Sequence, residues 1–467
     1  MIPSSIVFLW IMVESLFYIN FVYNRNRLQA HIKPNIPLTK QKRTELFWNC
    51  VHTVKDIKSW SEGWFYYAND YSHPHISDIK RDNFALWFAW AFWHDHLDIV
   101  RQNQEWSDEI EWMMDTAQAH FKHEFNHGFN DGIECIRLNL DPVQAIHRPL
   151  FVYLILYAIT ILYNEIFLHT IWNFVQGQRV QVWGSIMKYV DQCYYTLKSF
   201  FFPPTAPFEE ENRNTKKSVV SYYYKPVQQT ESETIVPIVF IHGIGIGTLT
   251  YAEFVHRLGK LNRPLFLVEL PYVSMHMVDN IPNAYETVNA IQDMLHHHHY
   301  KQAIFVSHSL GTGATSWLMN IRPELVAGTV MIDPICFLLH YHHVAFNFVH
   351  RVPINLLEYV MHYGVARELY ISNYLSRHFQ WYEGIYFASD APTSTPSTAI
   401  KEPMKNATVF LSELDRIVGS QHVHDYLKER NIDVHLMPGL EHAGFIMSAK
   451  WKDIIVKQIE HIANKVG

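Results

Sequence analysis

The sequence has few charged residues and no dense run of lysine and arginine. Charged residues make up 18% of the 467 residues, and the formal net charge is -7. A domain that binds nucleic acid usually carries a basic patch or stripe on its surface. The composition therefore argues against nucleic acid as a partner.

Cysteine is also scarce, and its four occurrences lie far apart, at Cys50, Cys135, Cys193 and Cys336. None of them forms the CxxC spacing of a structural zinc site, and so few cysteines do not make a disulfide framework. We expect free thiols and no metal site.

Apolar and aromatic residues, by contrast, are abundant. Hydrophobic residues make up 48% of the chain and aromatic residues 15%, which is the opposite of a disordered composition. At roughly 100–200 residues per domain, the length predicts two to three domains.

The first apolar stretch runs from Ile6 to Tyr23, with Glu14 inside it. About 18 residues just reach across the roughly 30 Å hydrocarbon core of a bilayer. Basic residues follow this stretch rather than precede it, and no small-residue cleavage site is visible. This pattern predicts an uncleaved anchor over residues 1–23 with its downstream side in the cytosol. An endomembrane such as the endoplasmic reticulum is the expected location. The alternative is a buried amphipathic helix.

Two further apolar segments lie in the first half of the chain. Residues 24–148 form a helical region in which the ten apolar residues Phe84 to Trp93 are too few to span a bilayer. They predict a core helix or a face lying on the membrane. Residues 149–175 form a possible second membrane segment, which can span, re-enter or lie along the surface. Both a single-pass and a two-pass topology therefore stay open.

Residues 176–215 are interpreted as a linker, and the sequence changes character in residues 216–467. There short apolar runs alternate with helical stretches; the runs are Ile235 to Ile241, Leu265 to Leu270, Ala303 to Val306, Thr329 to Ile332, Thr408 to Leu411 and Val434 to Met437. Apolar strands separated by helices predict an α/β fold with a mostly parallel sheet covered on both faces. Ligands then bind at the carboxyl ends of the strands.

A candidate nucleophile follows the third of these strands, in the sequence Ser307-His308-Ser309-Leu310-Gly311. A helical pattern comes next, so Ser309 is expected on a sharp strand-to-helix turn, a nucleophile elbow. Such a turn requires small residues two positions before and after the nucleophile. Gly311 meets this requirement, and Ser307 stands where a glycine is usual.

A glycine-rich turn follows the first strand, in His242-Gly243-Ile244-Gly245-Ile246-Gly247. Gly243 and Gly245 let the backbone approach the nucleophile, so that the amides of Ile244 and Leu310 are expected to form an oxyanion hole. The alternative is a dinucleotide-binding fingerprint, but Gly247 comes one residue too early for it.

The remaining strand ends carry an acid and a base. Asp415 follows the strand Thr408 to Leu411, and His442 follows Val434 to Met437. Ser309 needs a base to take its proton, and that base needs an acid to orient its imidazole. We therefore predict Ser309, Asp415 and His442 as a catalytic triad, with Asp333 as the alternative acid and Glu413 as a further spare carboxylate.

These motifs identify a family resemblance. Residues 235–450, with HGIG at His242, SHSLG at Ser307 and EHAGF at Glu441, resemble the α/β-hydrolase superfamily of serine esterases and lipases. The resemblance implies Ser309 as nucleophile, Asp415 as acid and His442 as base, with a lipid or ester substrate.

The insertion at about residues 334–405 is expected to form an apolar cap over the site, the alternative being more core. The leading hypothesis is a membrane-associated serine hydrolase that cleaves a carboxylic ester or thioester, with no metal or organic cofactor. An acyltransferase with the same triad, or a non-catalytic membrane scaffold, are the alternatives.

Overall fold

The computed structural model describes residues 4–34, 37–177, 183–201, 219–227, 235–388 and 403–467. Its strands are β1 (Phe65–Tyr66), β2 (Glu134–Cys135), β3 (Val175–Gln176), β4 (Ser221–Lys225), β5 (Ile238–Ile241), β6 (Leu265–Glu269), β7 (Ala303–His308), β8 (Val326–Ile332), β9 (Ala407–Ser412) and β10 (Asp433–Met437).

Eight of these strands form one mostly parallel sheet, in the order β10-β9-β8-β7-β5-β6-β4-β3. Only β4 and β3, at one edge, run antiparallel to their neighbours. Every residue of β5, β7 and β8 is buried, which explains why they appear in the sequence as continuous apolar runs. The predicted α/β class is confirmed, and each of the six predicted runs coincides with a strand to within a few residues.

Helices cover both faces of the sheet and build the rest of the chain. They are α1 (Ser4–Arg27), α2 (Lys40–Thr53), α3 (Ile57–Gly63), α4 (Arg81–Phe88), α5 (Leu97–Gln102), α6 (Gln104–Phe121), α7 (Leu150–Leu162), α8 (Ser185–Phe201), α9 (Ala252–Leu258), α10 (Ala284–His297), α11 (Gly311–Ile321), α12 (His343–Ala345), α13 (Leu356–Tyr359), α14 (Leu369–Asn373), α15 (Trp381–Gly384), α16 (Ser420–Glu429) and α17 (Ala449–Val466). Several of them continue as π-helical turns; α4 does so over Ala89–Trp93 and α7 over Tyr163–Ile171.

The amino-terminal region and the sheet share one hydrophobic core. Trp64, Trp90 and Leu138 belong to the same buried cluster as Phe305 of β7 and Leu310. Within the segment Phe84 to Trp93, all residues except Leu86 and Trp93 are buried, so it is a core helix rather than a membrane face. Residues 24–148 therefore pack directly onto the half of the chain that forms the sheet.

The segment interpreted as a linker, residues 176–215, differs from that expectation. It begins inside β3 at Gln176, which pairs with β4, and it carries the helix α8 over Ser185–Phe201. The expected boundary near residue 215 lies outside the described residues. In the expected cap, residues 334–388 form short helices and turns, and residues 389–402 lie outside the described residues.

Two helices are long and apolar enough to cross a membrane, by length and composition. They are Ser4–Arg27 and Leu150–Ile171, each with a mean hydropathy of 1.8 over its most apolar window. They touch each other where the amides of Leu150 and Phe151 donate to the Glu14 carboxylate, at 2.8 and 3.3 Å. Glu14, the one acid in the first apolar stretch, thus caps the second helix.

Candidate active site

Ser309 lies on the tight turn between β7 and α11, where the sequence predicts it. Its φ of 50° is unusual for a residue with a side chain, and strain of this kind is typical of a nucleophile elbow. A Cβ on Gly311 would lie 2.4 Å from the Ile241 carbonyl oxygen, and a Cβ on Gly243 would lie 3.0 Å from the Ser309 Cβ. Both glycines therefore allow the elbow to approach the end of β5. At Gly245 a Cβ would meet only Thr250, at an ordinary 3.5 Å.

Ser307 replaces the glycine that usually precedes the elbow, and its hydroxyl is satisfied inside the protein. The side chain is buried, and its Oγ accepts a hydrogen bond of 2.9 Å from Thr315 Oγ1 on α11. A buried hydroxyl that makes a hydrogen bond costs little stability, whereas one without a hydrogen-bond partner destabilises the folded protein. This contact explains how serine is accommodated at this position.

The structure brings the three predicted residues together. His442 Nε2 lies 2.8 Å from Ser309 Oγ, and His442 Nδ1 lies 2.6 Å from Asp415 Oδ2. Asp415 is held in turn by the amides of Ile417 and Val418, which donate to its Oδ1 at 2.7 and 2.9 Å. Because a carboxylate at Nδ1 keeps the proton on that nitrogen, Nε2 of the neutral ring is free to take a proton from the hydroxyl.

Asp333, the alternative acid, occupies a different position. Its carboxylate accepts hydrogen bonds from the Ser412 amide at 2.7 Å and from the Ala443 amide at 2.9 Å, and it is fully buried. It thereby connects the end of β9 to the loop that carries His442. Glu413, the other spare acid, accepts from the Gly439 amide at 2.8 Å.

The charges around His442 set its protonation. Burial disfavours the imidazolium and lowers the pKa of His442, but the carboxylates of Asp415 and Asp333 outweigh burial and raise that pKa from 6.5 to about 9. The site thus stabilises a positive imidazolium, the form that His442 must adopt after it takes a proton.

The two amides predicted as the oxyanion hole belong to residues that line the same cavity as Ser309. Ile244 and Leu310 both line it, and neither backbone N–H has an acceptor among the described residues. Donors left free beside a nucleophile are suited to a developing oxyanion.

A buried network behind Ser309 escaped the sequence analysis. The Gly243 amide donates to Tyr251 Oη at 3.1 Å, and this hydroxyl lies 2.7 Å from His308 Nδ1. The Tyr251 hydroxyl can donate its own proton to Nδ1 of a neutral His308. His308 Nε2 lies 3.7 Å from Asp333 Oδ2. The network connects the glycine-rich turn at residues 242–247 to the nucleophile elbow at Ser309. His308 belongs to the SHSLG motif, whereas no sequence signal marks Tyr251.

Asp333, Asp415 and His442 also form the one group of three metal-ligand side chains found close together among the described residues. Both ring nitrogens of His442 are already engaged, one by Asp415 and one by Ser309. The donor set therefore suits proton transfer better than metal binding.

The cavity beside Ser309 is almost wholly apolar. Fifteen of its sixteen described lining residues are aliphatic or aromatic; the lining comprises Trp64, Trp90, Leu138, Ile244, Ser309, Leu310, Ile335, Leu339, Val344, Ala345, Phe348, Val349, Leu375, Phe379, Trp381 and Ile417. The first three come from the amino-terminal region.

Indole hydrogen bonds fix this wall to the rest of the protein. Trp64 Nε1 donates to the His340 carbonyl at 3.1 Å, and Trp381 Nε1 donates to the Ala91 carbonyl at 3.1 Å. The amino-terminal region and the residues after β8 thus hold each other in place around Ser309.

The serine, acid and histidine follow β7, β9 and β10, which is the chain order of the triad in α/β-hydrolases, and the sheet that carries them is mostly parallel. No family model and no curated protein sequence matches it.

Solved structures similar to the chain include three hydrolases. One is a carboxylesterase of Nitrososphaera gargenis, with 14% identity over 54% of this chain and 98% of that chain and a TM-score of 0.37. The second is a serine hydrolase from Cycloclasticus zankles, with 11% identity over 53% and 97% and a TM-score of 0.37. The third is a haloalkane dehalogenase from Bradyrhizobium elkani, with 11% identity over 53% and 95% and a TM-score of 0.36. At these identities and TM-scores, function has to be argued from the side chains of this chain.

Proposed function

We propose that this protein is a membrane-associated serine hydrolase that cleaves a carboxylic ester or thioester of a lipid through an acyl-serine intermediate. One observation carries the proposal: Ser309, hydrogen-bonded to His442 at 2.8 Å, is the single hydroxyl among the described residues that line an otherwise apolar cavity. A nucleophile in such a cavity meets acyl chains and excludes charged or sugar-like groups.

The contacts support a two-step mechanism. His442 Nε2 takes the proton of Ser309 Oγ as that oxygen attacks the carbonyl carbon, and the amides of Ile244 and Leu310 stabilise the oxyanion. His442 then gives the proton to the departing alcohol or thiol, which leaves an acyl-Ser309. Water, deprotonated by His442, attacks the acyl carbon and releases the carboxylic acid and the free serine. Each proton passes through His442, so the steps need no cofactor.

Two features support a lipid substrate and a membrane location. The side chains that line the cavity beside Ser309 are aliphatic and aromatic, which suits an acyl chain, and two helices of the chain have the length and composition to enter a bilayer. A protein held at an endomembrane meets lipid esters where they are most concentrated.

A fluorophosphonate probe tests the nucleophile. Wild-type protein is expected to label covalently and Ser309→Ala not to label. Ser307→Ala, a serine in the same pentapeptide that is buried against Thr315, is the matched control and is expected to keep labelling. Equal labelling of Ser309→Ala and wild type, or no labelling of wild type beside a reactive control hydrolase, would refute the assignment.

Product analysis on a panel of lipid esters then defines the reaction. Free fatty acid is the expected product in the presence and absence of an added alcohol. A new ester that appears only with the alcohol would identify an acyltransferase.

A further inference from the structure

The second apolar helix, Leu150–Ile171, is attached at both of its ends to the part of the protein that carries the main sheet and Ser309. Near its start, Tyr153 Oη donates to Glu368 Oε1 at 2.8 Å. Just after its end, Val175 and Gln176 pair with Tyr224 and Tyr223 in the main sheet. A helix that crosses a bilayer has its ends on opposite sides of about 30 Å of hydrocarbon. A single folded body cannot hold both ends, so this helix lies along the body.

One side of this helix faces the protein and the other faces outward. Its buried residues are Leu150, Tyr153, Tyr157, Thr160, Tyr163 and Leu168. Its outward apolar residues include Phe151, Ile155, Ile159, Leu162 and Ile166, each more than 40% exposed; the exposed polar residues His169 and Thr170 lie beyond these, near the end of the helix. The outward residues are spaced by three or four positions, so they form one continuous apolar stripe along the helix.

The start of α1 extends this apolar surface. Every residue from Ile6 to Met12 is exposed, whereas Phe17 and Phe21 further along are buried against the protein. The Glu14 carboxylate fixes α1 to the first amides of the second helix. The ten residues Ser4–Val13 project for about 15 Å, half the thickness of the hydrocarbon core. A helix segment that is apolar on all sides is stable only in a core or in lipid. Ile6 to Met12 are each at least 39% exposed within the described structure, whereas Val13 already packs against the protein.

The cap lies beside the same surface. The Arg148 guanidinium, at the start of the second helix, donates to the carbonyls of Tyr363 and Arg367. The cap segment that ends there, residues 352–363, exposes further apolar side chains; they include Val352, Ile354, Tyr359 and Val360. Immediately before this segment, Phe348 and Val349 line the cavity of Ser309. The exposed cap surface and the cavity wall are therefore consecutive stretches of chain.

We propose that these three elements form one membrane face: residues 4–13 of α1, the outward stripe of Leu150–Ile171 and the cap segment 352–363. This face lies in a single leaflet of a lipid bilayer, with the second helix parallel to the membrane plane. The substrate is a lipid of that leaflet, whose acyl chain passes beneath the cap to Ser309. The substrate part rests on the function proposed above, whereas the orientation of the helix does not.

Depth-dependent fluorescence quenching tests the orientation in the full-length protein. Cys193 is exposed and the other three cysteines are buried, so Cys193→Ser provides a background for single labels. Phe151→Cys, Ile159→Cys and Ile166→Cys each receive an environment-sensitive fluorophore. Vesicles of phosphatidylcholine and phosphatidylserine carry lipids with a nitroxide at a shallow or a deep acyl carbon.

The proposal predicts the same shallow depth at all three positions. These positions span about 22 Å of helix, so a transmembrane orientation would give clearly different depths and would overturn the proposal. Labels that are not quenched would overturn it as well. Ile99→Cys on α5, which is 39% exposed and lies outside this face, is the matched control and is expected to remain in water.

Activity provides a second readout that separates this proposal from the proposed function. Ile159→Asp is expected to reduce hydrolysis of a lipid ester in vesicles by about tenfold, because one apolar contact with the bilayer is replaced by a charge. Hydrolysis of a soluble short-chain ester should be unchanged, and Ile99→Asp should affect neither substrate. An equal loss of hydrolysis of both substrates would refute the proposal that the lipid substrate reaches Ser309 from the membrane. Absence of hydrolysis in wild type would refute the function and leave the depth result standing.

Discussion

On one side of Ser309 lie hydrogen-bonding groups at close distances, and on the other lies an apolar wall. The polar side consists of His442, Asp415 and two free amides, all from strand ends of the catalytic half. The apolar side combines residues of the amino-terminal region, such as Trp64 and Leu138, with residues of the cap. Under the function proposed above, the polar side performs the chemistry and the apolar side selects the substrate.

Removing the base should abolish the chemistry for every substrate. His442→Ala is expected to lower kcat/KM by about 10⁴–10⁶-fold, because no other group takes the proton of Ser309. The loss should be equal for a short-chain and a long-chain ester, as measured by steady-state kinetics.

Circular dichroism and thermal unfolding of His442→Ala provide the control, since His442 lies in a loop after β10 and its loss should leave the fold intact. A loss below tenfold in a folded variant would show that His442 is not the base. A loss that depended on chain length would contradict the division between the two sides.

Narrowing the apolar side should affect long substrates alone. Leu138→Trp places a larger side chain in the cavity and is expected to lower kcat/KM for a long-chain ester by about 10–100-fold. Turnover of an acetate ester should remain close to that of wild type. The ratio of the two rates is the measurement.

Val349→Trp, on the cap side of the cavity, repeats this test if Leu138→Trp does not fold. Ile99→Trp, at the protein surface, is the control and should leave the ratio unchanged. An equal decrease for both chain lengths would mean that the wall supports the fold and does not select the substrate.

The two sides also differ in what the sequence predicts about them. The strands were recognisable because their burial on both faces demands continuous apolar runs, and Ser309, Asp415 and His442 stand directly after such runs. The carboxyl ends of these parallel strands meet at one edge of the sheet, so the local sequence alone predicts that the three residues lie close together.

The apolar wall could not be predicted in this way. Trp64, Trp90 and Leu138 reach the cavity through tertiary packing across more than a hundred residues of chain, fixed by contacts such as that of Trp64 with the His340 carbonyl. An aromatic residue in a helix has the same sequence pattern whether it faces an ordinary core or a substrate cavity. Tyr251 could not be predicted either, because its contact with the Gly243 amide depends on the fold of the glycine-rich turn at residues 242–247.

The smallest effect concerns pH, to which only the polar side should respond. The pKa of His442 is about 9 in the folded protein and 6.5 as its ordinary value. The base must be neutral to accept a proton, so the rate of fluorophosphonate labelling should rise with pH and level off above about 9.

The proton on His442 is bound more tightly in the folded state than in the unfolded state, so the stability that it contributes is complete below pH 6.5 and is lost as the pH rises through 9. Between these values, reactivity and stability should change in opposite directions.

Asp333→Asn refines this prediction, because it removes one of the two negative charges that raise the pKa of His442. The midpoint of the labelling profile should move to lower pH, so that at pH 7 the variant labels faster than wild type. The profiles for short-chain and long-chain esters should keep a common midpoint, since the apolar wall has no group that titrates in this range. A wild-type rate that is independent of pH between 6.5 and 9 would mean that the carboxylates do not control this proton. The polar side would then act through geometry alone.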